Sequence, residues 1–421
     1  MCRLIKDKNT NMAQRLDKHI LKNGMVLLGE PMDAVESAAF GFMLPAGAAT
    51  APEKCCGAAN VISDWIFRGA GVRNSRQLND ALDGLGLHRA AGISSSHLSI
   101  GAALEAARLS DALRLYGDVI VAPHLADDQF ELARQLAVDE LLSLDDDPRQ
   151  KVMLKLRENF YRHPLGRSTV GHVEELKALT AEATREIIKS RFNMSGTIFS
   201  VAGKYDFHSV VQELAGLFDD TDIKQPEPVK LGERDSKYTH IPNDGAQVHI
   251  GLMTETVKPD DDNYYNCRVA VSVLSGGMSA RLFTEVREKR GLCYAISARY
   301  HGLKEAAGIM CYGGTTPEKA QETVDVIRAE FQRLGDGISE AELERAKVGL
   351  KSSLILQSES SGSRAGAIAS DYYVLGRVRS LDEIKEKIEQ PSVDSVVGFL
   401  RGQKFSDFTV VTIGPRQVNV K

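Results

Sequence analysis

The chain has 421 residues, of which 43% are hydrophobic, 26% charged and 6% aromatic; this excludes a collagen-like, coiled-coil or disordered polypeptide and predicts two or three domains. Its 52 Lys and Arg against 57 Asp and Glu give a net charge of -5 and a pI near 6.1. No bulk positive field therefore draws in nucleic acid or anionic lipid, and a polyanion partner is not expected.

In chain order, residues 1–15 are polar and aperiodic and read as a flexible tail, with Met12 as an alternative start. They contain no apolar run of the kind a secretory signal needs, and no stretch of 18 apolar residues follows. The expectation is a soluble, unexported, cytoplasmic protein without a membrane span. The periodicity then predicts strands at 25–28 and 38–44, a helix over 78–85 and a strand with one polar face over 93–103. Helices are predicted over 109–121 and 127–144, the second stopped by Asp145-Asp-Asp-Pro148. The six cysteines (Cys2, Cys55, Cys56, Cys267, Cys293 and Cys311) lack C-x-x-C spacing, which predicts reduced thiols and no zinc knuckle or disulfide scaffold.

Asp219 to Lys237 is charged, carries Pro226 and Pro228 and has no apolar period, so it reads as a linker between a domain at 16–218 and another at 238–421. The halves look alike. Glu131-Leu-Ala-Arg134 matches Glu342-Leu-Glu-Arg345, and Thr197 to Gly203 matches Phe408 to Gly414, both at an offset of 211 residues. Two matches at one offset point to an internal duplication. Helices packed on mostly antiparallel sheet in each half give an α+β chain of two homologous sandwich domains.

The most specific segment is Ser275 to Ala295, SGGMSARLFTEVREKRGLCYA, supported by His163-Pro-Leu-Gly166 with Gly171, by Asn193-Met194 and by the strand ending in Gly203. In these residues, and from about His19 to Gly414, the chain resembles the M16 metallopeptidases. That family includes mitochondrial processing peptidase, the core proteins of the cytochrome bc1 complex and short bacterial peptidase pairs. The resemblance implies the M16, LuxS-like fold.

Active members carry His-x-x-Glu-His on a first-domain helix, two imidazoles holding zinc and the Glu activating the metal-bound water, with a further Glu ligand downstream. The corresponding segment here runs from Gly57 to Gly69, framed by Gly57, Phe67 and Gly69. Asn60 and Asp64 stand at the histidine positions and Ser63 at the general-base position, while Glu140 keeps the downstream ligand position, 76 residues beyond Asp64. An amide oxygen is a poor zinc ligand and an unperturbed hydroxyl is no substitute for the carboxylate base. No metal or cofactor is expected on this chain, although Asp64 and Glu140 together offer oxygen ligands to a hard cation.

Nothing else supplies a substitute: no two of the ten histidines are four residues apart, His172-Val-Glu-Glu lacks a second His, and Cys55 and Cys56 have no base beside them. What the resemblance does carry over is the substrate-binding Arg290 and Tyr294, a pair that hydrogen-bonds substrate carbonyls across the chamber. They either share a helix face or meet across a turn at Gly291. The alternative is Arg290 paired on the surface with Glu285 or Glu288 and Tyr294 in the core. The strand at 91–100, with Ser94 and Ser96 on one face, lies where the family adds substrate as an extra strand. Residues 358–370 have the Ser- and Gly-rich composition of a flexible loop, but the resemblance implies helix there.

The resulting expectation is a non-catalytic subunit of a heterodimeric peptidase. It lends Arg290 and Tyr294 to a partner chain that carries the zinc and binds peptide or unfolded polypeptide; a homodimer is also possible on the sequence. The alternatives are a non-enzymatic scaffold resembling the bc1 core subunits, and an active metallopeptidase with an unorthodox site at Asp64 and Glu140.

Overall fold

The computed structural model of the protein describes residues 14–219, 221, 229–403 and 405–420. Most of the predicted tail, and residues 220 and 222–228 of the predicted linker, lie outside the described residues. Among the described residues no helix is long and apolar enough to cross a membrane.

The first half runs β1 (Asp17–Ile20), β2 (Val26–Pro31), β3 (Ser37–Leu44), α1 (Ala58–Trp65), the two-residue β4 (Gly69–Ala70) and β5 (Arg73–Asn74), and α2 (Ser75–Gly84). The hairpin β6 (His88–Ile93) and β7 (Leu98–Glu105) precedes α3 (Leu109–Val121), α4 (Asp127–Ser143) and α5 (Pro148–Phe160). After α6 (Val173–Ala178) and α7 (Ala181–Arg191), β8 (Ile198–Gly203) inserts into the sheet and α8 (Phe207–Phe218) closes the half. The sheet order is β1-β2-β8-β3-β7-β6, and β2 with β8 is its parallel pair.

The second half contains β9 (Tyr238–Pro242), β10 (Val248–Glu255), α9 (Tyr264–Ser275), β11 (Cys293–Gly302), β12 (Ala307–Thr315), α10 (Ala320–Leu334), α11 (Glu340–Ser358), α12 (Ser361–Leu375), α13 (Leu381–Glu389), α14 (Val393–Gly402) and β13 (Phe408–Gly414). Its sheet order is β11-β12-β10-β13-β9, with β13 and β9 parallel. The path β6-β7-β3-β8-β2 is thus repeated strand for strand, as a duplication produces. This two-domain α+β architecture is the predicted fold class.

Each half also lends a helix to the other. Asp147 accepts from the Gln150 N–H to start α5 behind Pro148, and Val152, Leu156 and Phe160 of α5 pack against Met253, Met310 and Val411 of the second sheet. Reciprocally, Ile368 and Ala369 of α12 pack on Leu28 and Ile198 of the first sheet. The Ser- and Gly-rich segment is therefore the helix that the resemblance implies. Ser360 caps it by accepting from the Ser363 N–H, and Gly376, at φ +72°, ends it.

The single strand predicted over 93–103 is corrected. It is a hairpin, turned at residues 94–97, where the Ser94 hydroxyl accepts from the His97 N–H at 2.9 Å. Polar serines fit the alternation of a strand equally well, but short side chains that bond their own backbone favour turns. Of the two strands of this hairpin, β6 is the one at an edge of the sheet.

Candidate functional site

The helix α1 is built to present one face. Ala58, Ala59, Val61, Ile62 and Trp65 are buried, and Trp65 stacks edge-on against Phe130 of α4 at 4.9 Å. Residues 60, 63 and 64 recur at helical spacing on the opposite, partly exposed face. Gly57, at φ +95°, lets the chain enter α1 against Gly171 and Leu176, where a Cβ would meet atoms at 2.7–2.8 Å.

On that face the structure brings Asn60 and Glu140 together: the Asn60 Nδ2 donates to Glu140 Oε2 at 2.8 Å. Ser63 is turned back, its hydroxyl donating to the Asn60 carbonyl at 2.7 Å. Asp64 is taken by Arg68, one turn along, in an ion pair. The donor set does not fit zinc. An amide N–H points at the surviving carboxylate, the second carboxylate is neutralised, and among the described residues no group of three His, Cys, Asp or Glu converges on a metal position. Asp64 and Glu140 are each bonded to a different partner, Arg68 and Asn60.

In the second half, a π-helical turn at Phe283–Glu288 leads through Gly291, at φ +56°, into β11. Arg290 and Tyr294 therefore lie on either side of a helix-to-strand turn. The Arg290 Nη1 donates to the carbonyl of Glu285 at 2.8 Å and to its carboxylate at 2.7 Å. Hydrogen bonds from Lys289 first and Arg290 second hold the Glu285 carboxyl down at about 2. Tyr294 is not a core residue: it is 48% exposed, and its hydroxyl donates to Gln247 Oε1. Beneath it is Gly314, where a Cβ would lie 2.6 Å from the Tyr294 hydroxyl and 2.9 Å from that of Tyr312. Among the described residues no hydrogen bond joins Arg290 or Tyr294 to the Asn60–Glu140 group.

Two family models cover the halves in turn: "Insulinase (Peptidase family M16)" matches residues 30–173 and "Peptidase M16 inactive domain" matches residues 178–350. The chain belongs to the M16 peptidase family. An uncharacterized zinc protease of Mycobacterium tuberculosis is 25% identical over 403 residues, spanning 94% of this chain and 92% of the relative. A peptidase M16 inactive domain from Pseudomonas fluorescens superposes with a TM-score of 0.85 at 17% identity, covering 96% of this chain and 99% of the other. A chain of complex III2 from Candida albicans gives 0.82 at 17% identity, covering 95% and 96%. At these identities the two structures establish the fold alone.

The other sequence candidates in this M16 chain have structural roles. His172 is clamped between two carboxylates, Nε2 at 2.8 Å from Glu158 of α5 and Nδ1 at 3.2 Å from Glu175 of α6. Its value rises to about 9, through the Glu158 hydrogen bond first. Glu175 also accepts from the Cys56 N–H at 2.8 Å, which ties α6 to the entry of α1. Burial, then the charge of Glu175, pushes the Cys56 thiol up to about 12, so it is no nucleophile.

Sequence reasoning missed the interior of the clamshell. A cavity of about 440 Å³ lies between the lent helix α5 and the strands β11 and β12, with Tyr312 in its wall. Its basic residues come from positions about 140 residues apart, and no local motif could have assembled them.

Proposed function

We propose that this chain is the non-catalytic, peptide-binding subunit of a heterodimeric M16 peptidase, supplying Arg290 and Tyr294 to an active site whose zinc is held by its partner. The observation that carries the reading is the contrast between the two sites. On α1 the degenerate positions bond one another or Arg68, whereas Tyr294 and Arg290, although bonded to Gln247 and Glu285, stay exposed, and Arg290 keeps Nε and Nη2 without a hydrogen bond among the described residues. A guanidinium with N–H groups to spare and a phenol at the surface that can exchange its Gln247 partner for a ligand suit a carbonyl that gains charge in the transition state.

The free edge of β6 supports peptide binding, since an extended segment pairs there through main chain alone, independently of zinc. Assembly is supported by Leu132 and Leu136 of α4, each 52% exposed, one and two turns ahead of Glu140 on the same helix face. Apolar side chains beside the degenerate site are suited to burial by another subunit.

The test is reconstitution with a zinc-bearing M16 chain. Arg290→Ala and Tyr294→Ala should each lower peptide turnover by about 100-fold, as loss of one transition-state donor does. Zinc content and complex formation should not change. Undiminished turnover in both variants would refute the role and favour a scaffold that cuts no peptide.

A further inference from the structure

The cavity with Tyr312 in its wall carries an unusual charge arrangement. Arg149 and Arg157 of α5 and Arg299 of β11 all line it, and none has a carboxylate within ion-pair distance among the described residues. Asp147 is the one carboxylate in the lining, and it is engaged in capping α5. The Arg149 guanidinium sits 4.9 Å over the Tyr312 ring, and the Tyr312 hydroxyl lies 2.9 Å from His249 Nδ1. Arg157 is half-buried; desolvation first, and then the like charge of Arg299, hold its guanidinium below the ordinary range. An arginine stays protonated nonetheless, so two like charges line one cavity.

The cavity continues into a second of about 160 Å³, with which it shares Leu154, Arg157 and Thr169. Along β11 the residues Ser297, Arg299 and His301 alternate and so face one side, toward both cavities. Since β11 is the edge strand of its sheet, the trench runs beside a free main-chain edge, from Tyr312 to the hairpin turn at Ser94. A cleft lined by one sign of charge concentrates ligands of the other, and uncompensated guanidiniums in a confined site are satisfied by carboxylates.

We propose that this trench selects acidic peptide segments, with Asp or Glu side chains paired to Arg157 and Arg299 while the backbone lies along β11. The proposal rests on the peptide-binding reading above and names the class of peptide. It makes Arg149, Arg157 and Arg299 specificity residues distinct from Arg290 and Tyr294.

The experiment measures binding of three labelled nine-residue peptides to the full chain by fluorescence anisotropy: Glu alternating with Ser, Gln with Ser, and Lys with Ser. The expected order is Glu, then Gln, then Lys, with a roughly tenfold or greater advantage of Glu over Gln at low salt that shrinks as salt is raised. Arg157→Gln with Arg299→Gln should abolish that advantage and leave the Gln peptide bound as before. Replacing two like charges by neutral amides relieves repulsion, so the variants should fold; circular dichroism checks this, and exposed Arg149→Gln alone should give part of the effect. Equal binding of the three peptides, or an advantage that persists in folded variants, would overturn the selectivity while leaving peptide binding intact. Binding of none would overturn peptide binding itself, and the selectivity with it.

Discussion

Replacing Arg364 by Met should separate the two halves energetically. Arg364, on α12 of the second half, donates to both oxygens of Glu30, on β2 of the first, at 3.0, 3.0 and 2.7 Å. Both side chains are only 5% exposed, so water cannot solvate whichever partner is left. Removing one member of such a pair costs about 3–5 kcal/mol, mostly for the stranded charge, whereas replacing both with apolar groups of similar size is close to neutral. Arg364→Met should therefore destabilise by about 3–5 kcal/mol, Glu30→Leu by a similar amount, and the double variant by far less. The assay is urea unfolding followed by fluorescence of Trp65, the single tryptophan, which lies fully buried in the first half. A single variant within about 1 kcal/mol of the parent, or a double variant no better than the singles, would refute the reasoning.

The His172 clamp predicts a pH dependence. Its folded value of about 9 stands above the ordinary 6.5, so its contribution is complete below pH 6.5 and is lost as pH rises through 9. With the side chain 42% exposed, solvent screening limits the contribution to about 1 kcal/mol. His172→Gln should flatten the stability profile across that window, and superimposable profiles would remove the clamp from the account. On α1, the variant Asn60→His, Ser63→Glu, Asp64→His restores the two-histidine face opposite Glu140. It should take up about one zinc per chain by elemental mass spectrometry, against none for the parent. A zinc-free triple variant would mean that the face does not converge on Glu140.

The elements whose apolar period is local were legible in the sequence: α3 and α4 lie within a residue of the expected bounds, and α2 begins three residues early at an Asn74 cap. The degenerate face was identified by the resemblance of Gly57 to Gly69 to the family's zinc motif, and the helical spacing of residues 60, 63 and 64 then places them on one face. Two kinds of feature were not legible. The hairpin at 94–97 was read as strand because serine hydroxyls satisfying their own backbone mimic a polar strand face. The exchange of α5 and α12, the Glu30–Arg364 pair and the basic cavity join residues far apart in sequence, and neither periodicity nor spacing encodes such pairings. The helix α12 was legible only through the family resemblance: its small residues weaken a helix in isolation but let it pack closely on another domain's sheet.

Loss of the metal motif costs this fold little because zinc would have bonded only the solvent-side face of α1. The face that joins the core, from Ala58 to Trp65, keeps its packing against α4. The replacements on the other side are mutually consistent: Asn60 satisfies Glu140, and Arg68 neutralises the carboxylate introduced at Asp64. The cavity is a different matter. Two guanidiniums lining one cavity without a carboxylate partner among the described residues are a cost to the folded chain, and nothing in the packing of α5 on its sheet requires that cost. An anionic ligand removes it. On the proposed reading the chamber and the Arg290–Tyr294 turn carry the role of the chain, while the residues at 60, 63 and 64 bond within the fold.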